Sequence, residues 1–206
     1  EGTFLIRGWQ AEKISDVTGG WVTIPVPGRP DWLLQGTYTG IIALRRDQAG
    51  RWRFSHRLEG FQLPVKDLVW DAEGWLWAAN PNRGLYRLKP DAELQSLEAV
   101  RAYGKSDGLP TDFRVSIHQL NGQWLARAGG EMFAWEAARQ ALQKMDEVLG
   151  SPLPVEKGRL MPGRGGEFFW VFRDRVQWFR GGSLMAEWPL ALIPDHEQIV
   201  ALDEHT

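Results

Sequence analysis

The chain has 206 residues, 43% of them apolar and 24% charged, with a formal net charge of −2 and a pI near 6.1. That balance excludes the basic bias of a nucleic-acid binder, and no apolar run approaches the roughly 18–20 residues of a membrane span. With no cysteine there are no disulfide staples or thiolate metal sites, whereas 12 Trp, 23 Gly and 12 Pro point to many short strands and many turns.

In chain order, Glu1-Gly2-Thr3 leads straight into Phe4-Leu5-Ile6, which reads as a strand and not as a secretory leader. Thr3–Arg7 is predicted as the second strand of a partial unit over 1–30, in which 21–26 is a first or a last strand. A full unit over 31–64 follows, with strands at 32–35, 41–45 and 52–57. Further units are predicted at 65–110, 111–154 and 155–194, and 195–206 begins another. Leu63-Pro64, Leu109-Pro110, Leu153-Pro154 and Ile193-Pro194 punctuate them, the prolines falling 46, 44 and 40 residues apart. Propeller blades repeat at about that period.

Each unit carries an apolar run at a matching point: Leu33-Leu34, Leu76-Trp77, Trp124-Leu125-Ala126 and Phe168-Phe169-Trp170-Val171-Phe172. These runs are apolar on consecutive positions, as in a strand covered on both faces. A third strand follows each run, beginning at Gly40, Gly84, Glu131 and Arg175. The predicted fold is therefore all-β, a β-propeller-type array of four-stranded antiparallel blades, about four to five in number. Within 136–148, Ala137, Ala138, Ala141 and Leu142 favour helix, so a short helical insertion is the local alternative.

The two ends complement one another. Gln198-Ile199-Val200-Ala201-Leu202 looks like a first strand, and Phe4-Leu5-Ile6 supplies a second. Either the ends meet in one blade and close a small ring, or the segment is an incomplete ring cut from a longer array; the second is favoured. An open array leaves exposed blade faces, so the segment is expected either to form a homodimer through them or to have them covered in another way.

The order Asp71-Ala72-Glu73-Gly74-Trp75-Leu76-Trp77, Gly84-Leu85-Tyr86-Arg87, Asp107-Gly108-Leu109-Pro110 resembles the propeller repeat of bacterial two-component regulators. Gly36-Thr37-Tyr38-Thr39-Gly40-Ile41 keeps a second piece of that motif, and the later units match it less well. The resemblance implies an extracytoplasmic, periplasmic sensor that takes small molecules or oligosaccharides at the propeller face. It also implies a seven-bladed parent ring, of which this chain would be part.

Catalytic signatures are missing: there is no His-Glu-x-x-His, no Gly-x-Ser-x-Gly and no phosphate loop. Gly163-Arg164-Gly165-Gly166 reads as a strand turn, and Trp70-Asp71 is misplaced for a tryptophan–aspartate repeat. Asp71 and Glu73 read as a solvated turn and not as a catalytic couple. His56, His118, His196 and His205 lie in different units, so no metal or other cofactor is expected.

The sharper expectation is a rim. In an up-and-down blade, the turn between second and third strands leaves from the same end as the link to the next blade. Aligning the units places Arg7, Arg127 and Arg173 at one equivalent position before that turn, with Arg83 inside it. Guanidinium forks there suit carboxylate, sulfate or sugar hydroxyls. Tyr38, Asn80 and Asn82 share the predicted end and suit sugar stacking and hydrogen bonding. The functional expectation is a ligand-sensing propeller segment of a bacterial signalling receptor that is not itself an enzyme. The alternatives are a protein-binding scaffold and a glycan-active propeller hydrolase or lyase.

Overall fold

The structure, a computed structural model, describes residues 1–120, 122–153, 158–163 and 165–190. Its turns are set by local chemistry first. In three of them an aspartate closes the loop in the same way. Asp47 Oδ1 accepts the N–H groups of Ala49 and Arg51 at 2.9 and 2.8 Å. Asp71 Oδ1 does so for Glu73 and Trp75, and Asp91 Oδ1 for Glu93 and Gln95, all at 2.9 Å. The residue three positions on is left-handed each time: Gly50, Gly74 and Leu94, at φ 74°, 75° and 60°. A short carboxylate that bonds its own backbone suits a tight reversal.

Between such turns run four-stranded antiparallel sheets whose strands pair in sequence order, the arrangement of propeller blades. The first blade is β3 (Val22–Val26), β4 (Arg29–Thr37), β5 (Gly40–Arg46) and β6 (Trp52–Arg57). The second is β7 (Asp67–Trp70), β8 (Leu76–Asn80), β9 (Gly84–Pro90) and β10 (Leu97–Tyr103). Ahead of them stands a hairpin, β1 (Thr3–Arg7) and β2 (Gln10–Ser15). The third blade is β11 (Ser116–Leu120), β12 (Gln123–Ala128), β13 (Glu131–Glu136) and β14 (Ala141–Met145). A small hairpin of β15 (Glu147–Val148) and β16 (Ser151–Pro152) precedes the fourth blade. That blade is β17 (Arg159–Pro162), β18 (Glu167–Val171), β19 (Arg175–Arg180) and β20 (Ser183–Pro189).

The chain divides into two compact units, Glu1–Ile117 and His118–Thr206. In the first, Leu34, Ile41 and Ala43 of one blade pack on Leu68, Leu76 and Ala78 of the next, sealed by Leu58, Phe61 and Val65 of the link. The alternate residues Ile42 and Leu44 meet Ile14 and Leu5 of the leading hairpin. β5 is thus buried on both sides, which is why its apolar residues run consecutively. In the second unit, Leu125 and Met132 pack with Leu160, Phe168 and Phe179, the last two rings stacked at 4.9 Å.

Links and third strands lie very close. A Cβ on Gly40 would stand 2.3 Å from the Phe61 carbonyl oxygen, and one on Gly84 2.5 Å from that of Tyr103. Both glycines also have positive φ, 114° and 84°, a region open to glycine at little cost. The Asp107-Gly108-Leu109-Pro110 motif makes a 3₁₀ turn over Lys105–Asp107, closed by Gly108 at φ 94°. Leu109 drops into the core behind it.

Two expectations change, and one alternative falls away. Val22–Val26 is the first strand of the blade that follows, so the leading partial unit ends at Ser15 and does not extend to residue 30. Thr3–Arg7 is not a second strand. Thr3 Oγ1 donates to Gln35 Oε1 at 2.7 Å, while Glu12 pairs with Arg53 at 2.9 Å beside the Asp47 loop. The Gly8-Trp9 turn therefore points to the aspartate-loop end, as a turn between third and fourth strands does. No helix forms in 136–148: residues 137–140 turn, Gln140 is left-handed at φ 51°, and Ala141–Met145 pairs with β13. Cross-strand bonding to a placed β13 outweighs the small helix preference of alanine. The predicted start of another blade at 195–206 lies outside the described residues, as do Pro154, Pro194, Arg164, His196 and His205.

Candidate ligand-binding face

Blade links and second-to-third turns of Glu1–Ile117 are laced together at one end. Val65 N–H donates to Thr37 O and Lys66 N–H to Ala79 O, both at 2.9 Å. Gly84 N–H donates to Asp112 O at 2.9 Å, and Arg114 N–H to Pro81 O at 2.7 Å. These bonds hold the loops on the rigid blade ends, the usual basis for a recognition surface.

Exposed aromatics gather there. Tyr38 (52% exposed) meets Trp21 (41%) edge to face, with centroids 4.5 Å apart. Phe113 is 54% exposed, and the Arg114 guanidinium stands 5.3 Å from its ring. Arg114 itself has φ 55°, unusual for a long side chain. Arg83 is exposed on the neighbouring turn. Burial pushes the Tyr86 phenol up, with Arg83 opposing and Asp112 reinforcing the shift. Flat rings beside guanidinium forks can stack on a ligand's apolar face and grip its oxygens.

Of the residues expected on the rim, Tyr38, Asn82 and Arg83 occupy this end and are exposed. Asn80 occupies it too but is buried and committed: its Nδ2 donates to Pro64 O and its Oδ1 accepts Asn82 N–H, both at 2.9 Å. It builds the turn and offers nothing to a ligand. Arg7 is exposed at the opposite, aspartate-loop end, because its hairpin is inverted relative to the alignment. Trp21, Phe113 and Arg114 were missed. The signal for the last two was present, since they follow Leu109-Pro110 in a link that must leave from the same end.

In His118–Thr206, Arg173 is exposed in the turn between β18 and β19. Arg127 is only half exposed. It faces Met132 across the sheet, on the side from which Leu125 and Met132 enter the core. Its Nε is buried with no hydrogen-bond partner, and burial pushes its guanidinium pKa down.

The opposite end of the second blade holds a buried charge cluster. Asp71 is not a solvated turn residue: its side chain is 5% exposed and its Oδ2 lies 3.1 Å from Arg87 Nη2. The same oxygen accepts Trp77 Nε1–H at 2.9 Å, and Arg87 also reaches Glu73. The Arg87 guanidinium stands 4.5 Å from the Trp75 ring. Every polar atom of Asp71 is engaged in holding the turn against β8 and β9. His56 is likewise occupied, its Nε2–H donating to Leu94 O at 2.8 Å and its Nδ1 accepting from Ser55 Oγ at 2.9 Å. Among the described residues no three His, Asp or Glu side chains cluster closely enough to hold a metal ion.

No family model matches the chain, and no curated protein matches it. Solved structures do. The extracellular domain of a B. thetaiotaomicron protein described as a hybrid two-component system matches with TM-score 0.54 at 16% identity, covering 82% of this chain and 22% of that one. The extracellular domain of a protein described as a one-component system, from the same organism, matches with TM-score 0.52 at 19% identity, covering 78% of this chain and 23% of that one. A nutrient-binding protein of Bacteroides thetaiotaomicron, termed auxiliary, matches with TM-score 0.51 at 12% identity, covering 84% and 42%. This chain spans less than half the length of each. At these identities the likeness is one of fold: the chain resembles propeller-type extracellular domains of bacterial signalling systems. No helix among the described residues is long and apolar enough to cross a membrane.

Proposed function

We propose that the chain is the ligand-sensing, extracytoplasmic propeller segment of a bacterial two-component-type receptor, placed in the periplasm and carrying no catalytic step of its own. The observation that carries this reading is the loop end of Glu1–Ile117, where Tyr38 and Trp21 form an exposed aromatic pair on the same end as Arg83 and Arg114. An oligosaccharide with an acidic group fits that chemistry: rings stack on its apolar face, and guanidiniums take its carboxylate or hydroxyls. Ligand binding would favour one packing of the blades and pass that preference to the rest of the receptor. The fold likeness to extracellular signalling domains and to a nutrient-binding protein supports the same reading.

The test is a thermal-shift panel of acidic and neutral oligosaccharides. A true ligand raises the midpoint in step with its concentration. Tyr38→Ala and Arg83→Ala, both at exposed sites, should abolish that rise and leave the unliganded midpoint in place. If no oligosaccharide shifts the protein, or if both variants respond like the parent, the reading fails.

A second reading, a surface for another protein or a second copy, is favoured by the leading hairpin. Phe4 is 47% and Ile6 68% exposed, and Trp9 is fully exposed. Apolar side chains gathered on one exposed hairpin suit contact with a partner surface. Sedimentation across a concentration series tests it: association should appear and should vanish in Ile6→Lys.

A further inference from the structure

We propose that the cleft beside the end of β6 binds short zwitterionic peptides, gripping the carboxylate end with Arg57 and the ammonium end with Glu59. The cleft has a volume of about 890 Å³, within the range of small-molecule sites. It is formed where the chain leaves the first blade and crosses to the second. Glu59 N–H donates to Gln95 O at 2.8 Å, Leu97 N–H donates to Glu59 O at 3.2 Å, and Glu59 pairs in parallel with Ser96. His56 fastens the same junction through Leu94 O. The walls therefore belong to two packed blades joined by main-chain bonds, and the cleft is preformed.

Arg57 and Glu59 are two residues apart on an extended segment, so their side chains leave the same face with Cα atoms about 6.5 Å apart. Both line the cleft and both are exposed. They do not pair with one another. Arg57 Nη1 donates to Thr39 Oγ1 at 2.8 Å, and among the described residues its guanidinium forms no ion pair. Glu59 takes part in no ion pair among the described residues, and neither Gln62 nor Gln95 uses its side-chain amide there. Opposite charges left apart at that spacing match a ligand with its own opposite charges at its two ends. An extended dipeptide or tripeptide has them. Gln62 and Gln95 supply the donors and acceptors that a peptide group between the termini requires.

The aromatic ring that lines the cleft is not free for stacking. Phe61 is 5% exposed and its ring is packed edge to face on Tyr86 at 4.9 Å. It presents no open face for a sugar ring to stack on. The cleft rests on other side chains than the Tyr38–Arg83 surface, so either assignment can fail alone.

The experiment is titration calorimetry of the whole chain with Ala-Ala-Ala, its N-acetylated form and its C-amidated form. The free tripeptide should bind, and blocking either terminus should weaken it about tenfold or more, as expected for losing a hydrogen-bonded charge. Glu59→Gln should no longer distinguish the acetylated from the free peptide, and Arg57→Gln should no longer distinguish the amidated one. Absence of binding up to about 10 mM, or equal binding of free and blocked peptides, would overturn the assignment. So would a Glu59→Gln variant that still rejects the acetylated peptide.

Discussion

Arg87 Nη2 lies 3.1 Å from Asp71 Oδ2 with both side chains almost wholly out of water, at 4% and 5% exposure. The pair joins the turn after β7 to the third strand of its blade, under the Trp75 ring. Removing one member strands the other charge in the interior. Arg87→Ala should therefore cost about 3–5 kcal/mol, read as a lowered urea midpoint. Arg101→Ala is the control. That arginine is mostly exposed and 3.9 Å from Asp107, so its loss should cost less than about 1 kcal/mol.

The aspartate loops predict an acid limb. Ser96 Oγ, with the backbone N–H groups of Gln95, Ser96 and Glu93, holds the Asp91 carboxyl below its ordinary value of 3.8, burial opposing only in part. The Arg51 backbone N–H does the same for Asp47. A depressed folded pKa means that the unfolded chain binds more protons. The stabilisation is present above 3.8 and disappears as pH falls through the folded values. Asp91→Asn should flatten melting temperature against pH below about 4, and an unchanged slope would refute the idea.

Asp67 carries the opposite sign. Burial pushes its carboxyl above 3.8, outweighing the Ile117 N–H, which donates at 3.1 Å, and nearby Lys66. The folded state now binds the extra proton, so stability is fullest below 3.8 and falls as pH rises through the raised folded value. Asp67→Asn removes that loss while keeping an acceptor for Ile117. Relative to the parent it should melt higher at neutral pH, and the gap should shrink to nothing in acid.

Arg127 is a stability liability unless something binds it. Its buried Nε lacks an acceptor, an omission worth roughly 1–3 kcal/mol. Arg127→Met should raise the thermal midpoint by a few degrees. If an acidic oligosaccharide binds the parent protein and Arg127→Met binds it equally well, Arg127 has no part in recognition.

The sequence by itself carried the blades. Leu-Pro or Ile-Pro punctuation every 40–46 residues, consecutive apolar second strands and glycine at the head of β5 and β9 are local signals, and local sterics and burial enforce them. It also placed Tyr38, Asn82 and Arg83 at the loop end, because strand direction alternates through a meander and fixes where each turn emerges. What only the tertiary structure decided is the fate of individual polar groups and of the leading hairpin. Asp71 and Asn80 look like turn residues open to solvent, yet Arg87 and the Pro64 carbonyl, 16 residues away in sequence, consume them. Arg7 fell at the wrong end because Thr3–Arg7 has the apolar character of a second strand. Its place as a third strand is set by contacts to Gln35 and Arg53. A strand's residues reveal how much of it is buried; its direction and its neighbours depend on pairings that residue types do not encode.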